Sequence, residues 1–214
     1  TVADIEAATR GPASGGYWVG FESTHSLIRY SLASEFEAAR IPPEWQGWSE
    51  NAGVEAMAWL PDGRFIVMPE RATTGFLYPS DPVEEVEPLT FRFAIPGDYN
   101  PTDMAALPDG RVLILLRKLD WGLPPFTSAI AIADPRALEE GEELPIQILV
   151  QLDSILPREN YEALAVSGVA DDGTVGLWLM SDDNLSAFQR TLLARISWAG
   201  DAPWRKHNEK AREG

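Results

Sequence analysis

Acidic side chains head four similar segments of this 214-residue chain. In each segment an acid is followed by small and apolar residues, and the four acids are Glu6, Glu55, Asp103 and Glu162. Carboxylates held close together raise one another's pKa, whereas a divalent cation or an arginine favours their charged forms. An all-oxygen site suits a hard cation and favours Ca²⁺, with Mg²⁺ or another divalent cation as the alternative. We therefore predict a cation site at these acids.

A second charged residue is predicted opposite each acid. Pairing Leu60 with Phe65 across a tight turn sets the register of the hairpin. In this register each acid faces a residue of the second strand at the far end of the hairpin from the turn. The pairs predicted in this way are Glu6 with Glu22, Glu55 with Glu70, Glu162 with Asp182, and Asp103 with Leu116 or Arg117. The arginine breaks the acid–acid pattern, and its guanidinium could hold an anion such as a phosphate.

The spacing of the acids predicts the fold. They lie 49, 48 and 59 residues apart, which is close to the length of a propeller blade, and each is followed by a glycine-containing turn and an apolar run. Residues 60–64 and 107–111 both read Leu-Pro-Asp-Gly-Arg, a sequence typical of tight hairpins. We predict an all-β fold, a β-propeller of four-stranded antiparallel blades in residues 1–198, with repeats beginning near residues 5, 54, 102 and 161 and a polar tail in residues 199–214.

The last repeat lacks a fourth strand. Third strands are predicted within 26–32, 75–78, 129–133 and 191–198, but fourth strands only within 39–41, 89–95 and 145–152. Closed propellers commonly complete the last blade with a strand from the other terminus, because an open sheet exposes its edges. We therefore expect this chain to be the C-terminal part of a larger propeller of about six blades, whose missing blades or strand come from the rest of the parent protein. A closed four-bladed ring is the alternative.

Composition excludes several classes of function. The chain has 17 basic and 33 acidic residues, a formal charge of −16, which repels phosphate backbones and argues against nucleic-acid binding. With no cysteine and only two histidines, it cannot build thiolate metal sites or a three-histidine zinc site. No apolar run approaches the length needed to span a bilayer, so membrane insertion is not expected.

Several segments resemble a known family. The most specific are residues 160–165 (Asn-Tyr-Glu-Ala-Leu-Ala), 177–184 (Leu-Trp-Leu-Met-Ser-Asp-Asp-Asn) and 189–193 (Gln-Arg-Thr-Leu-Leu), which resemble the bacterial "esterase-like activity of phytase" family. The resemblance implies a β-propeller in an exported protein, periplasmic or otherwise extracytoplasmic, with a suggested phosphoester hydrolase activity. The positions that match the family are Glu6, Glu22, Glu55, Glu70, Asp103, Glu162, Asp182, Asp183, Asn184 and Arg190.

Three functions are compatible with this pattern. In the first, a metal-dependent phosphoester hydrolase, the four repeated acids hold the cation, and water is oriented by Asp182, Asp183 or His25. The substrate, a small phosphoester or another small ligand, is then contacted by Arg117, Asn184, Arg190, Glu22 and Glu70. In both this function and the next, the acids are expected to converge at one opening of the propeller channel and to form an acidic rim. The second is a non-catalytic propeller that binds a metal, a small ligand or a protein at this rim. The third is a structural role in which the acids accept backbone N–H bonds from neighbouring blades.

Overall fold

The computed structural model of the chain describes residues 5–12, 15–22, 24–48 and 53–198. This part forms a four-bladed β-propeller, an all-β fold as predicted, built from four antiparallel sheets. The predicted polar tail, residues 199–214, lies outside the described residues. No helix long and apolar enough to cross a membrane occurs in the described part of the chain.

The first and third blades each contain four antiparallel strands. The strands of the first blade are β1 (Ile5–Arg10), β2 (Tyr17–Phe21), β3 (Ser26–Tyr30) and β4 (Phe36–Arg40). Those of the third are β9 (Asn100–Ala106), β10 (Val112–Leu119), β11 (Phe126–Ala133) and β13 (Ile146–Gln151).

The second blade gains a short fifth strand. Its antiparallel strands are β5 (Val54–Trp59), β6 (Phe65–Pro69), β7 (Thr74–Tyr78) and β8 (Leu89–Phe93), and β12 (Glu143–Leu144) pairs parallel with β8. Strand β12 was not predicted from the sequence, and it comes from the acidic connector of the third blade. Its Leu144 is fully buried, so one apolar residue ties this connector to the edge of the second blade.

The fourth blade has the three strands expected for it. They are β14 (Tyr161–Val169), β15 (Val175–Ser181) and β16 (Leu193–Trp198). Short 3-10 turns complete the described structure at Pro43–Trp45, Pro96–Asp98 and Leu152–Ser154. The prediction that strands from elsewhere complete the ring stays a prediction.

The first strand of every blade lies innermost, because β1 packs on β5, β5 on β9 and β9 on β14. Between these strands the faces of neighbouring blades share apolar cores, one between the second and third blades and another between the third and fourth. Strand β6 is buried along its whole length, which explains its uninterrupted apolar sequence. Burial of these faces sets the positions of the side chains at the end of each innermost strand.

Each innermost strand carries a β-bulge near its start. In β1, β5 and β14 the residue skipped by the pairing register is the acid of the repeat, namely Glu6, Glu55 and Glu162. In β9 the skipped residue is Thr102, since Pro101 pairs with Leu116 and Asp103 with Leu115. A bulged residue leaves the ladder and is redirected locally. The four repeats are therefore equivalent at Glu6, Glu55, Thr102 and Glu162.

The predicted equivalence of Asp103 with the other acids is wrong by one residue. Asp103 lies one position after the bulge, where the other repeats have alanine. Its two oxygens accept backbone N–H bonds from Met104 and Leu164, both at 2.7 Å, so it links β9 to β14. Burial raises the pKa of Asp103 to about 7, although the two backbone hydrogen bonds favour the charged carboxylate. This is the structural role that the sequence analysis allowed for.

The predicted hairpin register is also displaced. Phe65 pairs with Trp59 rather than with Leu60, and the bulge adds a further shift, so Glu70 donates its backbone N–H to the Gly53 carbonyl at 3.2 Å instead of facing Glu55. The fourth blade shows the same offset, because the Asp182 N–H donates to the Asn160 carbonyl at 2.9 Å. In the third blade Arg117 pairs with Asn100 at the matching position. Glu70, Arg117 and Asp182 therefore remain equivalent to one another, each opposite the residue two positions before the bulged one.

Removing the Asp103 carboxylate should weaken the junction of the third and fourth blades. We expect Asp103→Ala to lower the free energy of unfolding by about 1–3 kcal/mol, because two backbone N–H groups lose their acceptor in a buried position. Chemical denaturation followed by circular dichroism measures the change. The exposed Asp171→Ala should stay within about 0.5 kcal/mol of the parent chain. Equal effects of the two substitutions would contradict this role.

Candidate functional site

A buried glutamate, Glu55, lies among the acids near the start of the innermost strands, which we call the acidic end of the blades. Glu55 is only 6% exposed, and burial raises its pKa to about 9, with further increases from the charges of Glu6, Glu70 and Glu22. The charge of Arg117 acts in the opposite direction but does not outweigh them. Glu55 therefore carries its proton at neutral pH, which leaves a carboxylic acid able to donate it.

The four acids that were predicted to hold a cation border one cavity. It has a volume of about 630 Å³, and its lining includes Glu6, Glu55, Asp103 and Glu162. The cavity lies where residues of β1 approach β14 and β15, and exposed apolar side chains of the fourth blade form much of its wall. The repeat thus brings together residues that are up to 156 positions apart in the chain. Asp182, predicted to orient water, lines the same cavity.

A second, smaller cavity of about 350 Å³ adjoins the first at Glu162. Its lining includes two arginines, Arg71 and Arg117, together with Glu70 and Asn184. Arg71 contacts the Glu70 carboxylate with its Nε at 3.1 Å, and Lys118 also borders this cavity with its ammonium 4.5 Å from the centre of the Tyr99 ring. A chain with a net charge of −16 therefore gathers cationic side chains at this one opening.

Arg117 is held in place by polar partners on one side. Its Nη1 donates to Asn160 Oδ1 at 2.6 Å and to the Glu162 carboxylate, and Asn160 also donates to Glu162 at 2.7 Å. The guanidinium carbon lies 5.5 Å from the centre of the Phe126 ring. Within the described residues both hydrogen bonds of this guanidinium use Nη1, so Nη2 and Nε keep donors for an anion.

The segment immediately before β14 was missed as a source of site residues. Asn160 and Glu159 are both almost completely buried, and Glu159 accepts two hydrogen bonds from Arg190, from its Nε at 2.5 Å and its backbone N–H at 3.0 Å. Arg190 therefore fixes the loop after β15, and its predicted contact with substrate stays a prediction. The sequence carried a signal for this segment, since the polar Glu159 and Asn160 directly precede an apolar strand and Asn160 begins one of the most specific family motifs.

The remaining predicted residues fall into different places. Asn184 lines the second cavity and has a positive φ of 46°, whereas Asp183 accepts a hydrogen bond from the Leu185 N–H at 2.9 Å within its own loop. Glu22 is close enough to Glu55 to raise its pKa. His25 packs edge-on against Trp48, with ring centres 6.1 Å apart, and lines neither cavity.

The described residues do not form a ready metal site. No group of three or more acidic or histidine side chains in this part of the chain is arranged to hold a metal ion. The physical reason lies in the register, because the bulge offset separates the paired acids and turns Asp103 toward backbone donors. The Ca²⁺ prediction stays a prediction.

The comparison with protein families identifies the class of this propeller. The family described as "Phytase-like: Esterase-like activity of phytase" matches residues 1–185. The chain belongs to this family, as the resemblance predicted. No curated protein matches the chain.

Two solved structures are similar to the chain. The structure of the Dos1 propeller is 11% identical with a TM-score of 0.46, and it covers 92% of this chain and 47% of its own. Drosophila Plexin A in complex with Semaphorin 1b is 12% identical with a TM-score of 0.35, covering 92% of this chain and 54% of its own. The chain thus spans about half the length of the solved chains that it matches.

Glu55 should make the stability of the protein depend on pH. Because its pKa is about 9 in the folded state and 4.5 as an ordinary glutamate, the folded state binds the extra proton between these values. The contribution of Glu55 is therefore complete below about pH 4.5 and is lost as the pH rises toward 9. We expect Glu55→Gln to raise the free energy of unfolding by at least about 1 kcal/mol at pH 9 and to change it little at pH 5.

Urea unfolding of both proteins at the two pH values measures this difference. The control is Glu87→Gln, which changes an exposed acid and should give parallel stability curves. A Glu55→Gln variant that is less stable than the parent at pH 9 would show that Glu55 is charged and paired instead.

Proposed function

We propose that the propeller hydrolyses phosphoesters at the two adjoining cavities, with the phosphate bound by Arg117 and Arg71 and with Glu55 as the general acid. The observation that carries the proposal is a neutral, buried carboxylic acid, Glu55, on the wall of the first cavity, which adjoins at Glu162 a cavity lined by two arginines. Membership of the phytase-like family supports a hydrolase of this general type. We also propose that the protein acts outside the cytoplasm, which rests on the family resemblance alone.

The arginines account for binding of the anion. Guanidinium groups recognise phosphate oxygens through paired N–H donors, and Arg117 has donors directed away from its Glu162 contact. Phe126 and Asn160 hold this side chain in one orientation, which lowers the entropy lost when a ligand binds. Arg71 lines the same cavity and is much more exposed.

Glu55 accounts for departure of the alcohol. Water adds to phosphorus, the ester P–O bond breaks, and the leaving oxygen takes the Glu55 proton to form the free alcohol. The proton released by the attacking water returns to Glu55 through solvent, so the products are the alcohol and inorganic phosphate. A general acid must be protonated to act, and a pKa of about 9 keeps Glu55 in that form at neutral pH.

Cation binding is a separate part of the proposal. A divalent cation at Glu6, Glu55 and Glu162 would relieve the repulsion among these acids, but only after their side chains moved together and Glu55 lost its proton, so the cation-bound form is not the form in which Glu55 acts as general acid. No chemical step above depends on it. Titration calorimetry with CaCl₂ tests this part, and we expect Glu55→Gln combined with Glu162→Gln to abolish any heat that the parent protein gives.

The hydrolase proposal predicts a characteristic dependence on the leaving group. Glu55→Gln should lower kcat about 100-fold for phenyl phosphate and much less for p-nitrophenyl phosphate, because nitrophenolate leaves without a proton. The kcat of the parent protein should fall as the pH rises above about 9, where Glu55 loses its proton. Steady-state assays of released phenol and nitrophenolate measure both effects, and Glu87→Gln should match the parent.

The arginine substitution separates catalysis from simple binding. Arg117→Ala should raise KM at least about tenfold for both substrates, whereas the exposed Arg10→Ala should leave it unchanged. Phosphate binding by the parent without turnover of either substrate would contradict hydrolysis and favour a non-catalytic propeller that binds ligands at the same rim. Absence of both binding and turnover would contradict the whole assignment.

A further inference from the structure

Two loops beside the arginine-lined cavity expose large apolar side chains to solvent. The β10–β11 loop, residues 120–125, carries Trp121 at 98% exposure and Leu123, and it follows the exposed Leu119. The β15–β16 loop, residues 182–192, carries Leu185 at 100% exposure and Phe188. Leu119 and Phe126, which flank the β10–β11 loop, and Asn184 of the β15–β16 loop line the second cavity, so both loops adjoin it. Exposed apolar residues concentrated beside a site commonly mark a surface that binds a ligand or partner.

The loops are attached to the same short segment that positions Arg117. Arg158 donates to the Phe126 carbonyl at 3.0 Å and to the Trp121 carbonyl at 3.2 Å, which fixes the β10–β11 loop. Glu159 binds Arg190 of the β15–β16 loop at 2.5 Å. Asn160 binds Arg117 itself at 2.6 Å. Three consecutive residues therefore hold both apolar loops and the anion-binding side chain in one arrangement.

The exposed leucine is kept in an unusual backbone conformation. Leu185 has φ of 55° and follows Asn184 with φ of 46°, in the left-handed region that residues with large side chains seldom adopt. The Asp183 carboxylate stabilises this turn by accepting the Leu185 N–H at 2.9 Å. The turn therefore presents a leucine to solvent in a fixed position, where a polar residue would be expected if no apolar group bound there.

Charge restricts what the rest of the substrate can be. Each of the two arginines is already beside a carboxylate, Glu70 for Arg71 and Glu162 for Arg117, and the chain has a formal charge of −16. One phosphate can be accommodated by two arginines, but additional phosphates on the same molecule would meet acidic side chains. An uncharged apolar group would instead cover the exposed side chains of the loops.

We propose that the ligand is an amphiphilic phosphate monoester, whose phosphate binds Arg117 and Arg71 and whose alkyl or aryl group binds Trp121, Leu123 and Leu185 of the two loops. This inference rests on the proposed function and names its substrate class. The same chemistry occurs in a free alkyl phosphate and in a lipid headgroup.

Calorimetric titrations test the inference, all made in the Glu55→Gln background so that bound esters are turned over slowly, with inorganic phosphate, a series of alkyl phosphates from methyl to octyl, and phytate. Affinity should rise about twofold to fourfold for each added methylene, as burial of about 0.8 kcal/mol per CH₂ implies. Phytate should bind more weakly than octyl phosphate. A double variant, Trp121→Ala with Leu185→Ser, should remove the gain with chain length and leave the affinity for inorganic phosphate unchanged.

The matched control is Leu32→Ser with Phe36→Ala, which removes two exposed apolar side chains from the first blade and should retain the gain. If inorganic phosphate binds and the series is flat, the apolar substrate class is wrong and the proposed function stands. If neither inorganic phosphate nor any alkyl phosphate binds, both proposals fail. Sedimentation with phosphatidylcholine vesicles with or without phosphatidic acid identifies the source, since binding only to the acidic vesicles assigns the headgroup of a lipid.

Discussion

A β-bulge near the start of each innermost strand is the constraint on which the acidic end of this propeller depends. The pairing of β1, β5 and β14 skips one residue, and in each case the skipped residue is a glutamate. In a regular ladder each of these glutamates would pair with a residue of the next strand. The bulge leaves each of them unpaired, at the equivalent position near the start of its strand. The common axis of the blades then brings Glu6, Glu55 and Glu162 to the wall of one cavity.

The third blade departs from this arrangement in two compensating ways. Its bulged residue is Thr102, whose hydroxyl donates to the Tyr161 carbonyl at 3.3 Å, and its acid is used between strands. On the neighbouring strand Arg117 occupies the position where other blades have an acid. Both differences reduce the number of carboxylates at the rim by replacing them with neutral or positive groups. Burial raises the pKa of Glu55 to about 9, and the neighbouring acids add to this increase; without the two replacements their repulsion would be larger.

The short segment before β14 links the chemistry of the rim to the loops above it. Arg158, Glu159 and Asn160 hold two loops and Arg117 through side-chain hydrogen bonds. Glu159 and Asn160 are almost completely buried. Buried polar groups that are fully paired give a single arrangement, because any alternative would leave them without partners. The positions of the loops therefore follow from the same contacts that orient the arginine.

The sequence by itself determined the repeat, the all-β propeller, the order of strands in each blade and the residues that gather at one end. These followed from local patterns: the spacing of acid-headed segments, the Leu-Pro-Asp-Gly-Arg turns and short apolar runs, which act over a few residues and need no knowledge of distant contacts. Local patterns also explain why β12 was missed, since a two-residue strand held by pairing with β8 has no periodicity of its own. Only the tertiary structure decided the roles of individual acids. A bulge displaces pairing by one residue, and that one residue separates a rim acid such as Glu55 from Asp103, whose carboxylate joins two blades. Whether a carboxyl group is charged depends on burial and on neighbours from other blades, which are brought together by packing and not by sequence spacing.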